Sequence, residues 1–273
     1  MHEETQPRYP LLLPRHAFSQ REVCRAGDLW RACQDIAVDA STRGGWPPSR
    51  YKAEKNAYLM RSMVCVHRAE TTHGDQLSTQ TWISKTKREL VSMREVRIAV
   101  DDGKGGHTPI CAATQEWVHV SADLKLLRMP RSLLDAFHVL AGSRTITFPD
   151  YSPVTSERDH VFRFDCWQTW TDPLGHVNHP VYVDWCDEAF GRAIVERGWD
   201  PARAVPIAES VLYRKPVGPG MAVVVTSRVL GTHGGGVVMS HAIADEAGEI
   251  FAEAMTARRV IEVSGDALAA GLS

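Results

Sequence analysis

A strand, a long helix and then four β-type runs separated by turns occur twice in this chain, and this repeated layout restricts the fold more than any other feature. The second helix has the clearest pattern. Tyr182, Trp185, Cys186, Ala189, Phe190, Ala193 and Ile194 fall at i, i+3, i+4, i+7, i+8, i+11 and i+12, a single apolar stripe on a helical period. Asp184, Asp187, Glu188, Arg192 and Glu196 take the opposite face, and Gly198 follows as a stop. Pro180 stands where a first-turn proline is tolerated, because the N–H it lacks has no intrahelical acceptor. Asn178 or His179 is then the expected cap. Val161 to Trp170 alternates loosely and reads as the strand before this helix.

The first half repeats the plan. A strand-like entry at Arg15 to Cys24 leads to a turn at Ala26-Gly27-Asp28, then to a helix striped by Leu29, Cys33, Ile36, Ala37 and Ala40 and closed by Gly44-Gly45-Trp46. Gly27 and Gly175, like Trp46 and Trp199, are about 150 residues apart. The β-type runs are Tyr58 to His67, Gln76 to Lys85, Leu90 to Val100 and Pro109 to Val120 in the first half. In the second they are Ile207 to Tyr213, Met221 to Leu230, Gly236 to Ala244 and Ile250 to Val263. This is an α+β pattern in which a sheet can wrap a helix. Each unit would expose one sheet edge, so the expectation is two units paired edge to edge. Their ranges are 8–142 and 158–265, joined by a linker at roughly 143–157 that Pro130, Pro149 and Pro153 bracket.

Composition narrows the function. The 273 residues are 44% hydrophobic and 23% charged with a formal net charge of −2, which fits a globular protein and gives no support to bulk nucleic-acid binding. No apolar run approaches the ~20 residues of a membrane span. Leu11-Leu12-Leu13 is too short for a secretory core, and Met1 to Pro10 is acidic as well as basic, so a cytoplasmic location is expected. The six cysteines contain no C-x-x-C pair and read as small buried hydrophobes, with neither a zinc site nor a cysteine nucleophile implied.

Chemistry concentrates in Asp172-Pro-Leu-Gly-His-Val-Asn-His-Pro-Val-Tyr-Val-Asp-Trp185. A carboxylate, a glycine turn and an imidazole stand just ahead of the positive end of a helix. Attack on a carbonyl needs both a group to activate water and donors to hold the oxygen that becomes negative. Asp172 is a candidate base or nucleophile, or a side chain that closes its turn. His176 can orient water, bind the carbonyl oxygen or Asp172, or simply satisfy backbone. Asn178 reads as a cap that fixes the amides, Gly175 as a backbone position that lets a carbonyl come close, and His179 as an N–H donor. Lys85, Lys87, Arg88, Arg214 and Lys215 form two short basic clusters, either solvated surface or a landing zone for a phosphate or an acidic carrier.

The Asp-Pro-x-Gly-His-Val-Asn-x-x-x-Tyr-x-x-Trp run resembles the hotdog-fold thioesterases of the 4-hydroxybenzoyl-CoA thioesterase type. Two such units in one chain resemble the acyl-ACP thioesterases, and Glu116-Trp117-Val118-His119-Val120 with Arg128-Met129-Pro130 is similar to the close of their first unit. The resemblance implies a double hotdog, each helix wrapped by an antiparallel sheet and the sheets paired as a pseudo-dimer. It implies metal-free and cofactor-free hydrolysis of a fatty acyl thioester, acyl-ACP before acyl-CoA, and leaves a homodimer open. It maps the catalytic carboxylate onto Asp172, the polarising amide onto Asn178 or His179, and the plant-type histidine onto His176. Two plant-type positions differ, being Leu174 and Pro216 here. The first unit, with Asp28 in place of the histidine and no Asp-Pro, is expected to be catalytically silent. The rival functions are a hotdog dehydratase on 3-hydroxyacyl thioesters and a non-catalytic acyl-binding protein.

Overall fold

The computed structural model describes residues 6–273. Part of the Met1 to Pro10 stretch used in the location argument lies outside these residues. The chain forms two compact units. One is built from residues 6–18 with Glu22–Thr147, the other from Phe148–Ser273 with Ser19–Arg21.

The N-terminal unit holds β1 (Tyr9–Leu11), α1 (Ala26–Arg43), α2 (Pro48–Ala53), β2 (Asn56–His67), β3 (Leu77–Lys87), β4 (Val91–Asp101), β5 (His107–Ser121) and α3 (Arg131–Ala136). Its antiparallel sheet runs β1-β3-β4-β5-β2. The α1 stripe buries Leu29, Cys33, Ile36 and Ala37 as the periodicity requires, and Trp30 joins them with no exposed surface. Two local readings are corrected. Arg15 to Cys24 is not a strand: Arg15–Ala17 make a single 3-10 turn and only Phe18 and Cys24 bridge. Ala26-Gly27-Asp28 is not a turn but the first turn of α1, drawn into the helix because all three residues are buried. The segment after α3 is fastened to this unit's sheet. Leu140 N–H donates to Ile83 O at 2.8 Å, Trp82 Nε1 to Ser143 Oγ at 3.0 Å, and Ile146 N–H to Thr114 Oγ1 at 2.6 Å.

The C-terminal unit holds β6 (Ser152–Pro153), β7 (His160–Asp165), α4 (Val181–Val195), β8 (Ala204–Tyr213), β9 (Ala222–His233), β10 (Gly236–Ala244), β11 (Ile250–Val260) and α5 (Gly265–Leu272). Its sheet order is β8-β11-β10-β9, with β6 and β7 both on β9. The strand expected over Val161 to Trp170 ends at Asp165, and Gln168–Trp170 turn as a 3-10 helix. Helix α4 buries Val181, Tyr182, Val183, Trp185, Cys186, Ala189, Phe190, Ala193 and Ile194. The far half of that stripe packs with Val229, Val237, Met239, Val260 and Leu268. Each large side chain of this kind contributes roughly 1.5–3 kcal/mol by leaving water. A charge also anchors the helix: Arg258 on β11, 3% exposed, donates through Nε to Asp187 Oδ1 at 2.8 Å, holds Nη2 in ion-pair contact with the same oxygen at 2.7 Å, and pairs with Glu209 on β8.

Beneath α4 the sheet buries a second polar unit. His241 Nδ1 lies 2.7 Å from Ser227 Oγ and its Nε2 2.9 Å from Thr256 Oγ1. Burial first, and Arg258 second, push the imidazole down from 6.5 to about 3. Folded chains therefore keep it neutral between those values, while unfolded chains bind a proton below 6.5, so stability present above pH 6.5 is lost as pH falls toward 3. The expected result is a wild-type melting temperature that drops over this window more steeply than that of His241→Gln, measured by scanning calorimetry at pH 7, 5.5 and 4. Parallel curves would count against this origin of the pH dependence.

Candidate active site

The turn that feeds α4 is held by its own backbone. Asp172 N–H donates to His176 O at 2.8 Å and Gly175 N–H to Asp172 O at 3.0 Å, while Thr171 bridges Val177. Val177 N–H reaches Val217 O at 2.8 Å and Asn178 N–H reaches Trp170 O at 2.9 Å, which ties both ends of the turn to neighbouring segments. Gly175 has φ +80°, a left-handed conformation that glycine adopts without penalty. Tyr213 Oη donates to His179 O at 2.7 Å and fixes the last peptide before Pro180.

Within this frame the Asp172 side chain is 14% exposed and that of His176 is 19% exposed. The turn-closing expectation for Asp172 is met by one of its oxygens. Its Oδ1 accepts the Leu174 N–H at 2.8 Å, an Asx turn, so one oxygen does close the loop. The other oxygen, Oδ2, faces His176 Nδ1 at 3.8 Å. His176 Nδ1 also lies 3.2 Å from Val177 O. With two acceptors beside it, Nδ1 is placed as a donor. The backbone N–H of His176 makes no hydrogen bond among the described residues.

Asn178 differs from the expected cap. Helix α4 begins at Val181, Pro180 precedes it already in helical geometry, and no side chain caps the helix. The reason is steric: with Pro180 at φ −66° and ψ −23° the helical path starts two residues beyond Asn178. The turn bonds Val181 N–H to Asn178 O and Val183 N–H to Pro180 O then use main-chain carbonyls. Asn178 also cannot lend its amide, since that N–H is bonded to Trp170 O. Its Oδ1 is buried without a hydrogen-bond partner among the described residues, and so is Nε1 of Trp185 one turn into α4. A buried acceptor and a buried donor at one helix start are groups that something other than this chain must satisfy.

Aromatic rings back the turn. Trp167 stacks on Trp170 at 4.9 Å and 13°, and Trp170 meets Trp185 and Phe164 edge-on at 5.7 Å each. Tyr182 contacts Trp185 at 4.6 Å and Tyr213 at 5.1 Å. Trp167 remains 63% exposed and Leu174 44% exposed. Sequence reasoning placed Trp185 only in the apolar stripe of the helix; its orphan N–H had no sequence signal. The basic clusters are mostly engaged: Lys87 pairs with Glu116 at 2.9 Å, Arg214 with Glu253 at 2.7 Å, and Lys215 with Glu249, whereas Lys85 and Arg88 are exposed. Among the described residues all six cysteines are buried and unbridged, and no helix is long and apolar enough to cross a membrane.

Residues 166–269 match the family model described as the thioesterase-like superfamily. No curated protein sequence matches the chain. Among solved structures it is similar to a putative oleoyl thioesterase from Lactobacillus plantarum, with TM-score 0.77 and 15% identity over 95% of this chain and 99% of that one. An acyl-ACP thioesterase from Bacteroides thetaiotaomicron gives 0.72 and 14% over 95% and 100%, and the 12:0-ACP thioesterase from Umbellularia californica gives 0.74 and 15% over 93% and 94%. At such identities the likeness establishes the fold, which is the α+β double hotdog that the sequence resemblance implied. The family match falls on the unit that carries the Asp172 motif.

Gly175→Ala tests the frame. The added Cβ meets nothing within 4 Å, so the cost is backbone strain alone. A loss of about 1–2 kcal/mol in urea-induced unfolding is expected; an unchanged midpoint would show that the turn relaxes out of its left-handed conformation.

Proposed function

We propose that this double-hotdog, thioesterase-like protein hydrolyses acyl thioesters, with Asp172 as the group that activates the attacking water. The observation that carries the reading is the mostly buried Asp172 carboxylate. One oxygen is spent on the Leu174 N–H and the other is held toward His176, in the turn that leads into α4.

In this reading Oδ2 takes a proton from water as its oxygen attacks the thioester carbon. The negative oxygen that forms is held by backbone N–H groups, for which the unused His176 N–H and the His179 amide at the helix approach are the donors. The C–S bond then breaks, and the departing sulfur takes up the proton held by the carboxyl group. His176, with Nδ1 turned to Asp172, orients the carboxylate. Asn178 Oδ1 and Trp185 Nε1 are the polar atoms left for substrate or for an ordered water. Direct attack by Asp172 on the carbonyl carbon remains the alternative chemistry for the same residue.

The two units are not equivalent in this scheme. Asp28, which stands where the C-terminal unit has its histidine, lies in the first turn of α1 between Arg25 and Arg31, each at 3.4 Å. With both neighbours cationic and no Asp-Pro turn before it, the N-terminal unit is read as silent. An acyl-ACP is the favoured substrate on the strength of the sequence resemblance. Acyl-CoA is the second reading, and the pairing of Arg214 and Lys215 with glutamates removes two cations that a carrier of either kind would have met.

Asp172→Asn is the sharpest test, because an asparagine Oδ1 can still accept the Leu174 N–H and keep the turn. Thiol release from acyl-ACP and acyl-CoA should fall by a factor on the order of 10²–10⁴, with the melting temperature within about 2 °C of wild type by the scaling for a domain of this size. Near-normal turnover in that variant would remove Asp172 from the chemistry. Comparison of the two carriers in wild type decides between them.

A further inference from the structure

A file of three tryptophans runs from the core of the C-terminal unit to solvent beside the Asp172 turn. Trp185 in α4 is buried, Trp170 meets it edge-on at 5.7 Å and is half-buried, and Trp167 stacks flat on Trp170 at 4.9 Å and 13°. Of the eight tryptophans Trp167 alone is exposed. Backbone holds it there. Cys166 N–H donates to Met221 O at 2.9 Å, Gly220 N–H to Cys166 O at 2.8 Å and Trp170 N–H to Trp167 O at 3.1 Å. Trp170 takes one face of the Trp167 ring, and 63% of the residue is left in solvent.

Two more exposed apolar side chains belong to the same neighbourhood. Leu174 lies in the turn itself, with its N–H on Asp172 Oδ1, and Met221 is the residue whose carbonyl holds Cys166. A single exposed hydrophobic residue needs no explanation, but three around one candidate carboxylate form a collar, and a patch of that kind marks a contact surface. None of the three side chains bears a charge. The chemistry of a thioester says what would cross them. Only the carbonyl carbon has to reach Asp172 Oδ2, whereas the thiol half belongs to a carrier too large to follow it and so stays in solvent. The part of the thiol next to sulfur must then lie over the surface between Asp172 and solvent, which is where the collar stands.

We propose that the collar of Trp167, Leu174 and Met221 binds the neutral arm of the thiol, the stretch next to sulfur, and that Trp167 sets the preference among thioesters. The arm common to acyl-CoA and acyl-ACP is pantetheine. Its amide planes and methyl groups are uncharged and suit the flat apolar face of an indole. A thiol without such an arm gains nothing there. Because the collar serves the carrier side of the Asp172 site, it rests on the hydrolysis proposed for that residue. Trp167 touches no reacting atom; it is a specificity residue, and its effect lies in binding the arm.

The test is thiol release by the whole chain from octanoyl-pantetheine, octanoyl-CoA, octanoyl-ACP and S-ethyl thiooctanoate, the last of which has no arm. In wild type kcat/KM for each pantetheine-bearing substrate should exceed that for the ethyl thioester. Trp167→Ala should cut this preference about tenfold, through KM rather than kcat. Leu174→Ser, which keeps its backbone N–H on Asp172, should cut it by a smaller factor. The ratio is taken within one variant, so a general loss from poor folding cancels. An unchanged ratio in Trp167→Ala overturns the assignment, and a loss confined to octanoyl-CoA overturns it in favour of a stacked adenine. The S-octyl thioether of pantetheine cannot be hydrolysed and separates this surface from the chemistry. By calorimetry it should bind wild type and Asp172→Asn alike, and Trp167→Ala about tenfold more weakly. That pattern without any thiol release keeps the collar and removes the hydrolysis. Thiol release with equal thioether binding by wild type and Trp167→Ala does the reverse.

Discussion

Burial of the apolar stripe of α4 against its own sheet is the constraint on which the candidate site depends. A helix seated by Val183, Phe190 and Ile194 cannot slide or rotate without exposing hydrocarbon, and the Arg258–Asp187 pair fixes it to β11. The start of the helix is thereby fixed in space, and so is the turn before it. That turn needs little further support: four short main-chain bonds, one left-handed glycine and a Tyr213 hydroxyl hold it. Asp172 and His176 are placed largely by backbone, which leaves the second carboxylate oxygen of Asp172 free of any part in closing the turn.

The two units treat the same problem in different ways. Each wraps a long helix in an antiparallel sheet, and each buries an arginine on the way. In the C-terminal unit the charge is compensated by carboxylates from α4 and β8, and the result is a rigid anchor. In the N-terminal unit no carboxylate engages Arg94 among the described residues, and His119 Nε2 on the same face is also without a partner among them. Buried polar groups with no partner are costly to keep.

Much of the fold was legible because its elements are long and strongly periodic. The stripes from Leu29 to Ala37 and from Tyr182 to Ile194 gave both helices, and the eight β-type runs correspond to β2–β5 and β8–β11 with shifts of a few residues at their ends. The errors fell where local pattern competes with burial. Val161 to Trp170 alternates far enough to suggest one strand, but the stacking of Trp167 on Trp170 accompanies a 3-10 turn instead. Ala26-Gly27-Asp28 looks like a turn by composition and is helix because its residues are packed away from solvent.

What the sequence determined by itself is which groups are neighbours: a carboxylate, a glycine and an imidazole just ahead of a helix, since spacing along a chain sets which groups are near one another over six or seven residues. What only the tertiary structure decided is how each atom is employed. Asn178 reads as a cap in any linear pattern, yet Pro180 already lies in helical geometry and Trp170 claims the amide of Asn178, so its side-chain oxygen is left over. Arg94 and His119 are twenty-five positions apart with nothing in the pattern to connect them. They share a face only because β5 runs between β4 and β2, and strand pairing is a long-range choice made by the whole sheet.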